Sequence, residues 1–201
     1  YSKSEFKNID IKENNSEHTI FGCFQRPEKL NHNVLETWSE ILKKKKESYL
    51  FFNNGIHQEY DKKKIVNFFM TKGIKSSRLR FALSRDRITY LNSFNLVDLN
   101  LDTFPYNGGT TSFESAYMGV PILTMKNDSI MFRCGESINK NLNMNNLISN
   151  DKDDYIEKAL VFSKSKGQKF SKKKQSSEFQ KSCLFDSKLF SENFFRLISK
   201  L

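Results

Sequence analysis

Residues 99–119 read LNLDTFPYNGGTTSFESAYMG. The run from Val97 to Asp102 predicts a strand, and Phe104 to Gly109 supplies the Pro, Asn and Gly of a tight connection. Thr110 to Met118 then predicts a helix, closed by Gly119 where a left-handed cap is wanted. The apolar Val120 to Met125 follows as another strand. Strand, turn, helix and strand in so short a span is the unit from which parallel sheets are built, because parallel neighbours need a crossover between them.

The same alternation recurs upstream. Thr19 to Phe24 (TIFGCF) reads as a short strand ending in a Pro-containing turn. In Asn33 to Lys45, the residues Val34, Leu35, Trp38, Ile41 and Leu42 share one face of a 3.6-residue period and predict a helix. Ser48 to Phe52 (SYLFF) is too short for a helix, rich in aromatics and punctuated by Asn53-Asn54-Gly55, so it predicts a buried strand. Lys62 to Thr71 as helix, Arg78 to Leu83 as strand and Asp86 to Asn95 as helix complete the series. The expected fold class is α/β, a Rossmann-like doubly wound parallel sheet covered on both faces. Beyond Met125 the pattern predicts helices at Ile130 to Asn139, Asp154 to Phe162 and Ser187 to Leu201. The last gathers Leu189, Phe190, Phe194, Phe195 and Leu197 on an apolar face that needs a dock. The expected division is a linker over 1–18, a Rossmann-like domain over 19–163, a Lys-rich loop over 164–182 and a C-terminal helix over 183–201.

Composition bounds the function classes. With 37% hydrophobic residues, 19 Phe and 7 Tyr among 201 residues, the chain can build a sizeable core, which excludes wholesale disorder. No long apolar run predicts a membrane span, and the first twenty residues lack the apolar centre of a secretion signal. Cys23, Cys134 and Cys183 are odd in number and far apart, which predicts free thiols and a reducing, cytoplasmic setting. His18, His32 and His57 lack ligand spacing, so no metal is expected. Lys and Arg total 33 against 23 Asp and Glu, a formal +10. Seven Lys and one Glu lie between Ser163 and Ser182, so the excess is local and reads as a solvated connection. Lys43 to Lys46 complement the carbonyl end of a helix, and Lys62 to Lys64 open one. Nucleic acid is not an expected partner, because aromatic interleaving and arginine bias are missing. A noncatalytic basic module contacting RNA or anionic partners through the lysine run stands as the alternative of a different class.

In open parallel sheets ligands sit beyond the carboxyl ends of the strands, where helix starts present their amides. The turn and helix start within residues 99–119 occupy such a place. Gly108 and Gly109 allow close approach of backbone, the Thr110 and Thr111 hydroxyls and first amides can hold phosphate oxygens, and Glu114 can accept from a ribose. The spacing of Thr111 and Glu114 equally fits an ordinary capping box. Neither a GxGxxG after the first strand nor a GxxxxGKS/T is present, which weakens dinucleotide and NTPase readings.

Several separate runs, in order and at compatible spacings, resemble one family. Phe21 to Leu30 (FGCFQRPEKL), Trp38 with Ile41-Leu42, Leu101 to Thr111 (LDTFPYNGGTT), Gly119 to Thr124 (GVPILT), Arg133 and Leu184 to Asp186 (LFD) are similar to the carboxyl-terminal half of the O-GlcNAc transferase/SPINDLY family, glycosyltransferase family 41. The similarity covers Thr19 to Leu201. It implies the donor-binding half of a GT-B glycosyltransferase that takes UDP-GlcNAc, without a metal cofactor, and modifies Ser/Thr hydroxyls of proteins. GDP-fucose, as in SPINDLY-like members, is the alternative donor.

The resemblance also implies roles. Lys29 is the catalytic cation beside the diphosphate, where a fixed positive charge stabilises the leaving group. Arg26, at a position where animal members carry glutamine, is a second phosphate clamp. Arg87 is a basic group near the donor, and Tyr90 stands at a family histidine beside the uridine. Gly109, where animal members have histidine, precedes the phosphate-holding Thr110 and Thr111. Glu114 replaces a family aspartate as the ribose carboxylate. Arg133 is expected to order local structure with Asp128 or Glu136. The family's amino-terminal GT-B half and its tetratricopeptide repeats, expected upstream as partners, have no counterpart in these residues. Alone, the chain is expected to bind nucleotide and transfer nothing.

Overall fold

Alternation with period two decides which side of the sheet each strand residue meets. In β1 (Thr19–Cys23) Phe21 and Cys23 enter one apolar core while Ile20 enters the other, and in β2 (Ser48–Phe52) Leu50 and Phe52 oppose Phe51 in the same way. A strand apolar on both faces belongs inside a parallel sheet covered by helices on both sides. The computed structural model describes residues 6, 9–53, 59–84, 86–165 and 171–200. The expected turn at Asn54-Gly55, residues 166–170 of the lysine stretch and most of 1–8 lie outside the described residues.

The remaining strands are β3 (Leu79–Phe81), β4 (Leu99–Leu101), β5 (Ile122–Met125) and β6 (Ile148–Ser149). Their order is β3-β2-β1-β4-β5-β6, every pairing parallel, with Phe21 facing Leu50 on one side and Leu99 on the other. The chain winds outward from β1 to β3 and then returns to place β4 against β1. That reversal opens a crevice at the carboxyl ends of β1 and β4. Crossovers are made by α1 (His32–Lys44), α2 (Glu59–Thr71), α3 (Arg87–Asn92), α4 (Thr110–Tyr117) and α5 (Cys134–Asn141), and α6 (Lys152–Lys164), α7 (Lys172–Phe179) and α8 (Ser187–Ile198) follow β6. Trp38, Ile41 and Leu42 of α1 and Tyr155 of α6 fill the larger core, as the helical spacing of the α1 residues requires.

Helix ends are set by local chemistry. Asn31 caps α1 by accepting from the Val34 amide, and its own amide donates to the Phe104 carbonyl at 2.7 Å, so the cap also ties α1 to the loop after β4. Gly119 ends α4 with φ +69°, the left-handed cap the sequence predicts, and a Cβ there would meet the Lys172 carbonyl at 2.1 Å.

Several elements differ from expectation, among them β6, a strand in a stretch where only helices are expected. The expected helix from Asp86 narrows to α3 and passes into a 3-10 turn at Ser93–Leu96. The expected helix from Ile130 splits into a 3-10 turn at Ile130–Phe132 and α5. The Lys-rich 164–182 stretch is not simply a loop: Ser171 caps α7, and Lys172 is 1% exposed. The Lys172 ammonium donates to the carbonyls of Phe94 at 3.2 Å and Asn95 at 2.8 Å, which stabilises its burial.

Residues 9–18 form no helix or strand, yet they are fastened. The Lys12 amide donates to Asn95 Oδ1 at 2.9 Å, Asn14 Nδ2 donates to both Asp98 oxygens at 3.0 Å, and Glu13 accepts from Ser171 and from the Lys172 amide. At the other end α8 buries no residue, and its large apolar side chains, including Phe190 and Phe195 at 67%, are exposed. Among the described residues no helix is long and apolar enough to cross a membrane.

Candidate functional site

A cleft of about 1150 Å³ opens where β1 and β4 end, and it is lined by Arg26, Lys29, Arg87, Tyr90, Gly109, Thr110, Thr111 and Glu114, all singled out from sequence, while Gly108 lies outside the lining. They arrive from three places, namely the turn after β1, helix α3, and the N-cap and first two turns of α4.

The turn after β1 carries the cation. Pro27 opens a 3-10 turn that ends on Lys29. The Lys29 ammonium donates to Gln25 Oε1 at 3.2 Å and to the Asn107 carbonyl at 2.9 Å, and it lies 4.2 Å from the centre of the Tyr106 ring. Partial burial pushes its pKa down from the usual lysine range, and the nearby Asp102 opposes the shift.

The loop after β4 is organised by Asp102, which is fully buried. Its Oδ1 accepts from the Gly108 amide at 2.7 Å, the Thr103 amide at 3.0 Å and Gln25 Nε2 at 3.3 Å, while Oδ2 accepts from the Thr124 hydroxyl at 2.8 Å. Burial raises the Asp102 carboxyl to about 7, with those donors and Lys29 pulling the other way. Gly108 is glycine because its neighbours leave no room, a Cβ falling 2.1 Å from Gln25 Nε2. Gln25 thus joins the two halves of the crevice, since its amide also donates to the Thr111 hydroxyl at 2.7 Å. Sequence reasoning missed Gln25, Asp102 and Asn107. For Asp102 the signal was available, a carboxylate at the end of the strand beside the switch point.

Helix α4 begins at Gly109 without a side-chain cap, so Thr111 and Glu114 do not form the capping box that their spacing allows. The first turn of the helix, with its positive dipole end, lines the cleft. Glu114 instead turns toward α3. Its Oε1 accepts from Arg87 Nη1 at 2.5 Å and its Oε2 from the Tyr90 hydroxyl at 2.9 Å. The Tyr90 ring meets Phe24 and Phe94 edge-on.

Arg133 pairs with Glu136 at 2.8 Å, which places it in the local role expected of it, and Glu136 is held at about 2 by Arg133 and then Lys140. Cys134 lines the cleft as a free thiol whose pKa burial raises. Among the described residues no group of three or more His, Cys, Asp or Glu is placed to hold a metal ion. What the cleft offers chemically is a fixed ammonium, a tethered guanidinium and a helix start arranged around one hollow, an arrangement suited to a polyanion.

The model of "Glycosyl transferase family 41" matches residues 12–194. The "Probable UDP-N-acetylglucosamine--peptide N-acetylglucosaminyltransferase SPINDLY" of Solanum lycopersicum is 31% identical over 150 residues, which cover 70% of this chain and 15% of that protein. Among solved structures, a mutant O-GlcNAc transferase of Thermobaculum terrenum superposes with a TM-score of 0.78 at 24% identity, covering 87% of this chain and 33% of that one. The pneumococcal O-GlcNAc transferase GtfA in complex with UDP and GlcNAc shares the fold at a TM-score of 0.55 and 11% identity, over 86% of this chain and 34% of its own.

Proposed function

The chain belongs to glycosyltransferase family 41, and from that membership and the geometry of the cleft we propose that it is the donor-binding half of a protein O-GlcNAc transferase-like enzyme. The donor is UDP-GlcNAc and the acceptors are Ser/Thr hydroxyls of proteins. The observation that carries this reading is the placement of Lys29 and the start of α4 on one cleft at the switch point of the sheet. Breaking the sugar–phosphate bond builds negative charge on the UDP leaving group. Lys29 stabilises that charge as it forms, and the first amides and hydroxyls of α4 hold the phosphates before it does. Loss of such a contact in the complete enzyme costs on the order of 3 kcal/mol of barrier.

Arg26 and Arg87 flank the same hollow and add positive charge. Because the chain's own cations and helix start supply the neutralising charge, donor binding is expected to need no metal, and EDTA is expected to leave UDP affinity unchanged. Transfer requires a second half that completes the crevice, closes out water and presents the acceptor. Free thiols fit a cytoplasmic setting.

Calorimetric titration tests the reading. UDP is expected to bind at least tenfold tighter than AMP, and Lys29→Ala to weaken UDP by about tenfold. Equal affinities for the two nucleotides, together with no effect of Lys29→Ala, contradict it. A donor panel on a longer protein then separates UDP-GlcNAc from GDP-fucose.

A further inference from the structure

Residues 141–147 read NLNMNNL, amides alternating with apolar side chains. Leu142, Met144 and Leu147 are buried, and Asn143 and Asn146 are exposed beside them. The run leads into β6 as Pro121 leads into β5, so it lies at the amino ends of these strands, the far end of the sheet from the donor cleft. A cavity of about 580 Å³ opens there among α5, α6 and α7, a volume typical of small-molecule sites. Leu142, Met144, Phe162 and Phe179 give it an apolar wall, and Asn143, Asn146, Gln175 and Ser182 give it neutral polar groups.

The bonding capacity of these groups is unspent. Asn141, on the same lining, is consumed within the fold: its Nδ2 donates to the Ser137 carbonyl at 2.8 Å and its Oδ1 accepts from the Cys183 thiol at 3.1 Å. The side chains of Asn143, Asn146 and Gln175 engage no described residue, and Ser182 Oγ is buried with no partner among the described residues. A buried hydroxyl left so costs free energy until something meets it. Glu178 and Lys181 are the charged residues of the lining, one of each sign, so the cavity does not draw a polyanion as Lys29 and the start of α4 do. Side-chain amides and a hydroxyl both donate and accept, and they match a ligand whose own groups do both. A sugar has such groups around a ring whose C–H faces suit an apolar wall. An extended peptide needs a run of free strand edge, and β6 offers two residues.

We propose that this cavity is a second ligand site, separate from the donor cleft, and that it binds a neutral sugar. The test is an amide NMR titration of the 201-residue chain with the methyl glycoside of N-acetylglucosamine. The amides of Asn143, Asn146, Gln175 and Ser182 are expected to shift together with a Kd on the order of 1 mM. N-acetylglycine methylamide, which mimics a peptide, and inorganic phosphate are expected to leave those four in place. Asn143→Gly suits the φ of 57° at that position, and Gln175→Ala suits a helix. Each is expected to weaken the sugar by about fivefold, and spectra unchanged away from the cavity show that both variants fold. Four amides unmoved at about 100 mM sugar overturn the proposal. So does tighter binding of the peptide mimic or of phosphate at these amides, and so does unchanged sugar affinity in both variants. All three results leave the donor reading standing.

Discussion

Asp102 is a carboxyl raised to about 7 by burial while four protein donors point at it. An unfolded chain releases this proton near 3.8, whereas the folded chain keeps it until about 7. Between those values the unfolded state binds fewer protons, so this residue makes stability fall as pH rises, by up to about 1.4 kcal/mol per pH unit, and the loss is complete above 7. Asp102→Asn keeps the acceptor for Gly108 and Gln25 and can donate toward Thr124. Urea unfolding across that range is expected to lose the slope in the variant. Lys29 behaves oppositely: its pKa is lowered by burial, so UDP binding is expected to fail at a pH below the ordinary lysine value, as Lys29 loses its proton. Kd measured against pH checks this, and Lys29→Ala should flatten the alkaline limb.

At the scale of elements, the structure distinguishes what pattern reveals from what contact alone reveals. Ser48–Phe52 was legible to the residue, because an aromatic run of that length buries both faces only as an inner strand. The start of α7 was not. A lysine run reads as solvated, and nothing in sequence shows that Lys172 folds its ammonium onto the carbonyls of Phe94 and Asn95 across the fold. Gln25 escaped for the same reason, being one neutral residue ahead of Arg26, Glu28 and Lys29 until the fold brings Asp102 and Thr111 to it. Lys172→Met keeps the buried stem but removes the donor shared by two carbonyls, of which that of Phe94 still accepts from the Val97 amide, and is expected to cost about 2 kcal/mol of stability, read by urea unfolding. Helix α8 is the opposite case, for it buries nothing. Phe190→Glu with Phe195→Glu is expected to change stability by less than about 1 kcal/mol while reducing self-association, seen in thermal melts and light scattering.

For the molecule as a whole, the parallel order β3-β2-β1-β4-β5-β6 makes the site inevitable in position if not in detail. Whichever residues follow β1 and β4 must meet at the crevice, and here those are Lys29 on one side and Asn107, Gly109, Thr110 and Thr111 on the other. Alternating elements and the family runs were enough to place these groups together. The internal pairing of Glu114 with Arg87 and Tyr90 was not, because it depends on how α3 and α4 approach each other. A second cleft of about 580 Å³, lined by Asn143, Phe162 and Gln175, lies among α5, α6 and α7 and supplies an internal control. The most direct measurement is an amide NMR titration of the chain with UDP. The account predicts that the amides of Lys29, Gly109, Thr110 and Thr111 shift together and saturate at one concentration. Shifts confined to Asn143 and Gln175, or an unchanged spectrum at high UDP, would contradict it.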